Sequence, residues 1–111
     1  MDDAEELRIV CTAVAHMANV PYADVLSRKR SHCLVFARSL TWLYLHEALG
    51  YPTSDIARHY GYDHSTVRYH IRQMRVRAEI DERIARRIDR VYEHVSRNLA
   101  DYTATRLNEQ S

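Results

Sequence analysis

The chain has 111 residues, 46% of them apolar and 28% charged, with only two Gly and two Pro. That is the length of one domain burying roughly two-thirds of its unfolded surface, and the balance excludes disordered and collagen-like classes. Net charge +1 excludes a uniformly basic coat, yet residues 1–27 carry net −4, residues 28–77 net +6 and residues 78–111 net −1, so the middle of the chain is suited to an anionic partner.

Scarce Gly and Pro favour long helices over hairpins. Residues 4–18 read as an amphipathic helix with Leu7, Val10, Val14 and Met17 at helical spacing, and Asp2 and Asp3 suit its positive end. Pro21 closes that helix and opens the short turn YADVL. The polar break SRKRS at 27–31 follows, with Ser31 placed to cap the next helix. Residues 32–49 form the most apolar helix (Leu34, Val35, Phe36, Leu40, Trp42, Leu43, Tyr44, Leu45, Leu49), expected at the centre of the fold. Gly50 is its C-cap and Pro52 its stop.

Thr53 or Ser54 caps a short helix, SDIARHY, which Gly61 ends. Asp63 begins a longer one with Val67, Ile71, Met74 and Ala78 inward. The same spacing continues through Ile80, Ile84, Ile88, Val91, Val95, Leu99 and Tyr102 after a restart near Asp81, which predicts a C-terminal helix over about 81–102 and a frayed tail over about 103–111. The expectation is a single all-α domain. Cys11 and Cys33 form no C-x-x-C pair and sit in apolar helical patterns, as buried reduced thiols of a cytoplasmic protein would. The N-terminus MDDAEEL is acidic, unlike a signal peptide, and no uncharged apolar run nears the roughly 20 residues of a membrane span.

The segment TSDIARHYGYDHSTVRYHI carries the chemistry. Two helices meet at a short turn containing Gly61, with Ala57 small enough for close approach and Ile56, Val67 and Ile71 placed to pack them together. That is a helix-turn-helix over about 53–77, whose second helix offers its N-terminal end to the DNA major groove. Asp63 or Ser65 is needed as a cap, but capping explains one residue of the row Asp63, His64, Ser65, Thr66. Asp accepts from cytosine N4, Ser and Thr bond bases or phosphates, and free helix N–H groups suit phosphate. Arg68 and Arg72 lie four apart on the outward side. Arg28, Lys29 and Arg30, with Ser54, are expected to contact phosphates. About five such contacts predict a fall of log K with log salt at a slope near −4 to −5. Arg38 interrupts an apolar helix and needs a partner, either a salt bridge at the helix edge or a DNA minor groove.

Taken together, ADVLSRKRS, Arg38 eight residues after Arg30, DIARHYG and DHSTV resemble the C-terminal DNA-binding domain (domain IV) of DnaA, the bacterial chromosomal replication initiator. The resemblance spans about residues 9–98. It implies a Trp-repressor-like helix-turn-helix bundle in which Arg28, Lys29 and Arg30 contact backbone, Arg38 enters the minor groove, and Asp63, His64, Ser65 and Thr66 read the major groove of double-stranded DNA. The family writes G-G-R-D-H where this chain has GYDH, and Pro-Arg-Gln where it has Ala37-Arg38-Ser39, so its target need not be the initiator's box. The helix after Asp81 is longer than the family's.

The initiator's ATPase has no counterpart, because a P-loop needs glycines that a chain with only Gly50 and Gly61 lacks. No cofactor, metal or catalytic residue is expected: the seven histidines form no H-E-x-x-H, and Ser65 lacks the setting of a triad. His64 and His70 titrate near neutrality if unperturbed, which predicts pH-dependent binding. The expected role is a standalone, nucleoid-associated regulator of replication or transcription, of the kind a phage or mobile element carries. The rival readings are a helical interaction module and a dimeric repressor of palindromes, with Ile84, Ile88, Val91, Val95 and Leu99 as the homodimer face of the C-terminal helix.

Overall fold

The computed structural model describes the backbone of residues 1–110 and the side chains of residues 1–108. Six helices follow in order: α1 (Asp3–Ala18), α2 (Tyr22–Leu26), α3 (His32–Glu47), α4 (Thr53–Tyr60), α5 (His64–Ile80) and α6 (Glu82–Gln110). Among the described residues there is no strand, and no helix is long and apolar enough to cross a membrane. The fold is all-α, as the spacing predicts.

Local chemistry sets the boundaries. The Asp2 carboxylate accepts from the Glu5 N–H at 2.8 Å and starts α1, while Asn19 ends it in the left-handed region, its N–H on the Ala15 and His16 carbonyls. Ser31 caps α3 by accepting from the Leu34 N–H at 3.3 Å. That helix stops at Glu47 with Ala48 as its cap, and Gly50 takes a positive φ of 76° two residues later, where the chain turns toward Pro52.

The centre is α3, buried without a break from Ala37 to Leu45. It has no solvent side there because α1, α5 and α6 pack around it. Glu47 at its end accepts from Arg75 Nε at 2.6 Å and from the Tyr92 hydroxyl at 2.8 Å, tying α3 to α5 and α6. Burial pushes the Cys11 thiol up to about 11, and Tyr60 beside it well above its ordinary value, so both stay neutral.

Helix α6 lies along α1. Ile88, Val91 and Val95 are buried there, with Ile84 and Leu99 half-buried against the same core. The seam expected to serve a homodimer is thus covered by the chain's own helices. The same helix continues to Gln110 rather than fraying near residue 103; TATRLNEQ contains neither Gly nor Pro and several strong helix formers. Residue 111 of the expected tail lies outside the described residues. Twenty-nine residues at about 1.5 Å each give roughly 44 Å, so α6 accounts for the molecule's 46 Å long axis.

Three apolar expectations are corrected. Ile80 is 81% exposed because it is the last residue of α5, two positions beyond inward-facing Ala78; the repeat that seemed continuous changes frame at Asp81. Met17 is 42% exposed, in the last turn of α1 at the margin of its buried face. Cys33 is exposed, since burial of α3 begins one residue later at Leu34.

Candidate nucleic-acid interface

Helices α4 and α5 form the helix-turn-helix. Ile56 and Ala57 of α4 and Val67 and Ile71 of α5 are buried together. Gly61 turns between them at φ 72°, and the Tyr62 N–H closes the turn on the Ala57 carbonyl at 2.9 Å. With its inner face spent on the core, α5 presents its first turn to solvent.

The caps differ from expectation. Pro52, not Thr53 or Ser54, is the N-cap of α4, and it has no side-chain acceptor. Asp63 holds the N-cap position of α5, but its carboxylate makes no capping bond. Both helices therefore begin without a side chain on their first N–H groups, which suits an anionic ligand. Asp63, His64 and Ser65 are exposed, Thr66 half-buried, and Ser54 exposed on the first turn of α4.

His64 couples the two starts. Its Nε2 lies 2.6 Å from Thr53 Oγ1 and receives Arg68 Nη2 at 2.8 Å. The Arg68 guanidinium also lies 3.3 Å from Nδ1, so it sits against the ring edge between the two nitrogens. Thr53, not among the expected contacts, thereby ties the His64 ring to the start of α4. Tyr69, also unforeseen, is 56% exposed one turn beyond Ser65.

Arg38 departs most from the sequence reading. It is only 5% exposed and reaches neither a carboxylate nor the surface. Its Nε donates to the Val25 carbonyl at 2.7 Å, and Nη2 to the carbonyls of Asp24 at 3.0 Å and Ser27 at 2.6 Å. These oxygens belong to the C-terminal end of α2 and the residue after it. The C-terminus of a helix leaves carbonyls without partners and is the negative end of its dipole, so it accommodates a buried cation. Arg38, expected at the minor groove, thus spends its N–H groups on carbonyls at the base of the basic loop.

The loop itself divides its charges. Arg28 stacks over the Tyr62 ring at 4.0 Å and donates to the Gly61 carbonyl, so it is not a free phosphate ligand. Lys29 is exposed and pairs with Asp24 at 3.1 Å. Arg30, Arg68 and Arg72 are exposed and, among the described residues, have no carboxylate partner. Arg30 and Thr66 line one concavity of about 260 Å³ with Arg38, Trp42, Tyr62 and His70, which brings the basic loop beside the first turn of α5. Burial, and then the Arg38 charge, hold the His70 imidazole below its ordinary value; it bonds Ser39 Oγ at 3.3 Å and meets Trp42 edge-on. Among the described residues no three metal-ligating side chains cluster.

Three elements thus converge on one surface: the SRKRS loop, the start of α4 and the start of α5. Comparison with known families agrees with this geometry. The profile of the bacterial DnaA protein helix-turn-helix matches residues 8–74, ending inside α5 and leaving α6 outside the match. No curated protein matches the sequence. With more than half of its length matched, the chain belongs to the bacterial DnaA helix-turn-helix family of DNA-binding domains.

Proposed function

We propose that the protein reads a specific sequence in double-stranded DNA by inserting the first turn of α5 into the major groove, and that it acts as a regulator of replication or transcription. The observation that carries this reading is the start of α5: an exposed helix end whose N-cap carboxylate is unbonded, bearing four polar side chains in a row. Asp63, His64, Ser65 and Thr66 meet base edges, with Arg68 and Arg72 along the groove wall. Lys29, Arg30 and Ser54 take the flanking phosphates. Arg30, exposed and unpaired beside Thr66, is better placed than Arg38 to enter a neighbouring minor groove.

Four uncommitted or weakly paired bases (Lys29, Arg30, Arg68, Arg72) give a salt slope of about −3 to −4 rather than the steeper value that five contacts imply. Because α1 covers the apolar seam of α6, the target we favour is one asymmetric site read by one copy, not a palindrome.

The test is selection of bound duplexes from a random pool at fixed salt, followed by the same selection with Thr66→Ala. A single enriched sequence is expected, and the variant should relax preference at one or two adjacent base pairs, worth about 1–3 kcal/mol each. Unchanged discrimination in the variant would remove Thr66 from the major groove. No enrichment by the unaltered protein would end the sequence-specific reading.

A further inference from the structure

The SRKRS loop has no regular structure, yet it must hold its bases at a set distance from α5. Several contacts restrain it. Arg38 grips the Ser27 carbonyl from inside, and the Tyr62 hydroxyl reaches the same oxygen at 3.4 Å. Arg28, one residue on, holds its guanidinium carbon 4.0 Å from the centre of the Tyr62 ring and donates to the Gly61 carbonyl. Residues 28 and 61–62 sit on two different connections, the α2–α3 loop and the α4–α5 turn. Nothing else described here joins those two connections by a charged group.

We propose that Arg28 and Tyr62 form a clasp that locks the basic loop to the helix-turn-helix turn, and that Arg28 acts as a positioning residue rather than as a ligand of DNA phosphate. This rests on the DNA-binding reading above. The guanidinium uses its face on the ring and an edge N–H on the carbonyl, a combination that planar Arg makes and the tetrahedral ammonium of Lys does not. A guanidinium held by both contacts is restrained before any phosphate arrives. The approach to the turn is close: a Cβ on Gly61 would stand 3.4 Å from Arg28 Nη2. With the clasp shut, Lys29 and Arg30 are already spaced from Asp63 to Thr66 before DNA arrives. The ordering cost of the loop is then met in folding rather than in binding.

The experiment compares Tyr62→Phe, Tyr62→Ala, Arg28→Lys, Arg28→Ala and the Arg28→Ala/Tyr62→Ala pair. Affinity for the selected duplex is measured by fluorescence anisotropy across salt, and amide hydrogen exchange of residues 27–31 is measured without DNA. Tyr62→Phe, which keeps the ring and gives up only the long 3.4 Å contact to the Ser27 carbonyl, should bind within about twofold of the unaltered protein. Tyr62→Ala, Arg28→Lys and Arg28→Ala should each bind about five- to tenfold more weakly with an unchanged salt slope, and the pair should be no worse than either alone. Exchange in the loop should speed up in the same three variants. Full binding by Arg28→Lys, with a salt slope shallower by about 0.9 in Arg28→Ala, would overturn the clasp and make Arg28 a phosphate ligand. Unaltered loop exchange in all three variants would overturn it also. Arg28 is exposed, so its variants keep the fold even if Tyr62→Ala does not. Since exchange is read without DNA, absence of duplex binding by the unaltered protein would count against the DNA reading while leaving the clasp to be judged on its own.

Discussion

Replacing Arg38 with Met separates an internal anchor from a DNA contact. The substitution keeps the aliphatic stem among the α3 core residues and removes the guanidinium that donates to three carbonyls at 2.6–3.0 Å. Part of the loss is softened, because the Asp24 carbonyl also accepts from the Ser27 N–H at 3.1 Å and the Ser27 hydroxyl at 2.7 Å. Removing one side of a buried, charge-assisted set costs about 3–5 kcal/mol. A domain of this size has only about 5–15 kcal/mol in all. The expected fall in Tm is therefore about 10–20 °C, followed by circular dichroism, with a matching drop in urea midpoint. Whatever DNA affinity survives below the melt should fall alike on A·T-rich and G·C-rich duplexes, since the damage lies in the loop's support. A Tm within about 2 °C of the unaltered protein, with affinity lost chiefly on A·T-rich sites, would refute the anchor and restore the minor-groove role.

Gly61→Ala forces a Cβ into a backbone with φ 72°, close to Arg28, and should cost about 1 kcal/mol, read as a Tm lower by about 4 °C. His70 is held below its ordinary value by burial and by the Arg38 charge, so the unfolded chain takes up its proton first as pH falls. Stability should thus be full above about pH 7 and decline toward pH 5, and His70→Gln should flatten part of that decline in urea midpoints measured at the two ends. Asp63→Asn removes a carboxylate that, among the described residues, pairs with no base. Binding to random duplex should tighten about threefold while the preference for the selected sequence shrinks; a uniform gain on both would show that Asp63 only repels phosphate.

The fold was legible where burial repeats at helical spacing. Val67, Ile71 and Met74 predicted the inner face of α5, and the apolar run from Leu34 to Leu45 predicted a central α3, because both signals depend only on position along one helix. Legibility ended at Asp81, where one repeat passes through a change of axis and leaves Ile80 outside. The candidate site was visible as a set of residue types: the row from Asp63 to Thr66 does stand at an exposed helix start. The destinations of the arginines were not visible. Arg38 finds backbone carbonyls of α2 and Arg28 finds a carbonyl and a ring 33 residues away, and backbone acceptors leave no mark in a sequence. An aromatic directly after Gly61 was the one sign of the second contact, and it is readable only once the loop is known to pass over that turn.

The same arginine chemistry serves two opposite ends here, and the carboxylates decide which. The acids of the N-terminal region are drawn away from the basic surface: Glu6 accepts from the Tyr51 hydroxyl at 2.6 Å and Glu5 from Tyr102 at 2.9 Å, while Glu47 takes Arg75 and Tyr92. Near the SRKRS loop and the start of α4, Asp24 and Asp55 are each matched by a base, Lys29 at 3.1 Å and Arg58 at 3.4 Å. Arg38 and Arg28 are held by carbonyl dipoles instead, which stabilise the cations but leave their net charge in place. The surface around Asp63 to Thr66 therefore keeps a positive field although the whole chain is close to neutral, and α6, with its acids and bases nearly balanced, adds length and core without diluting it. A field confined to one side orients a molecule before contact, and on the proposed reading it would let a nearly uncharged protein approach a polyanion by the face that carries Asp63 to Thr66.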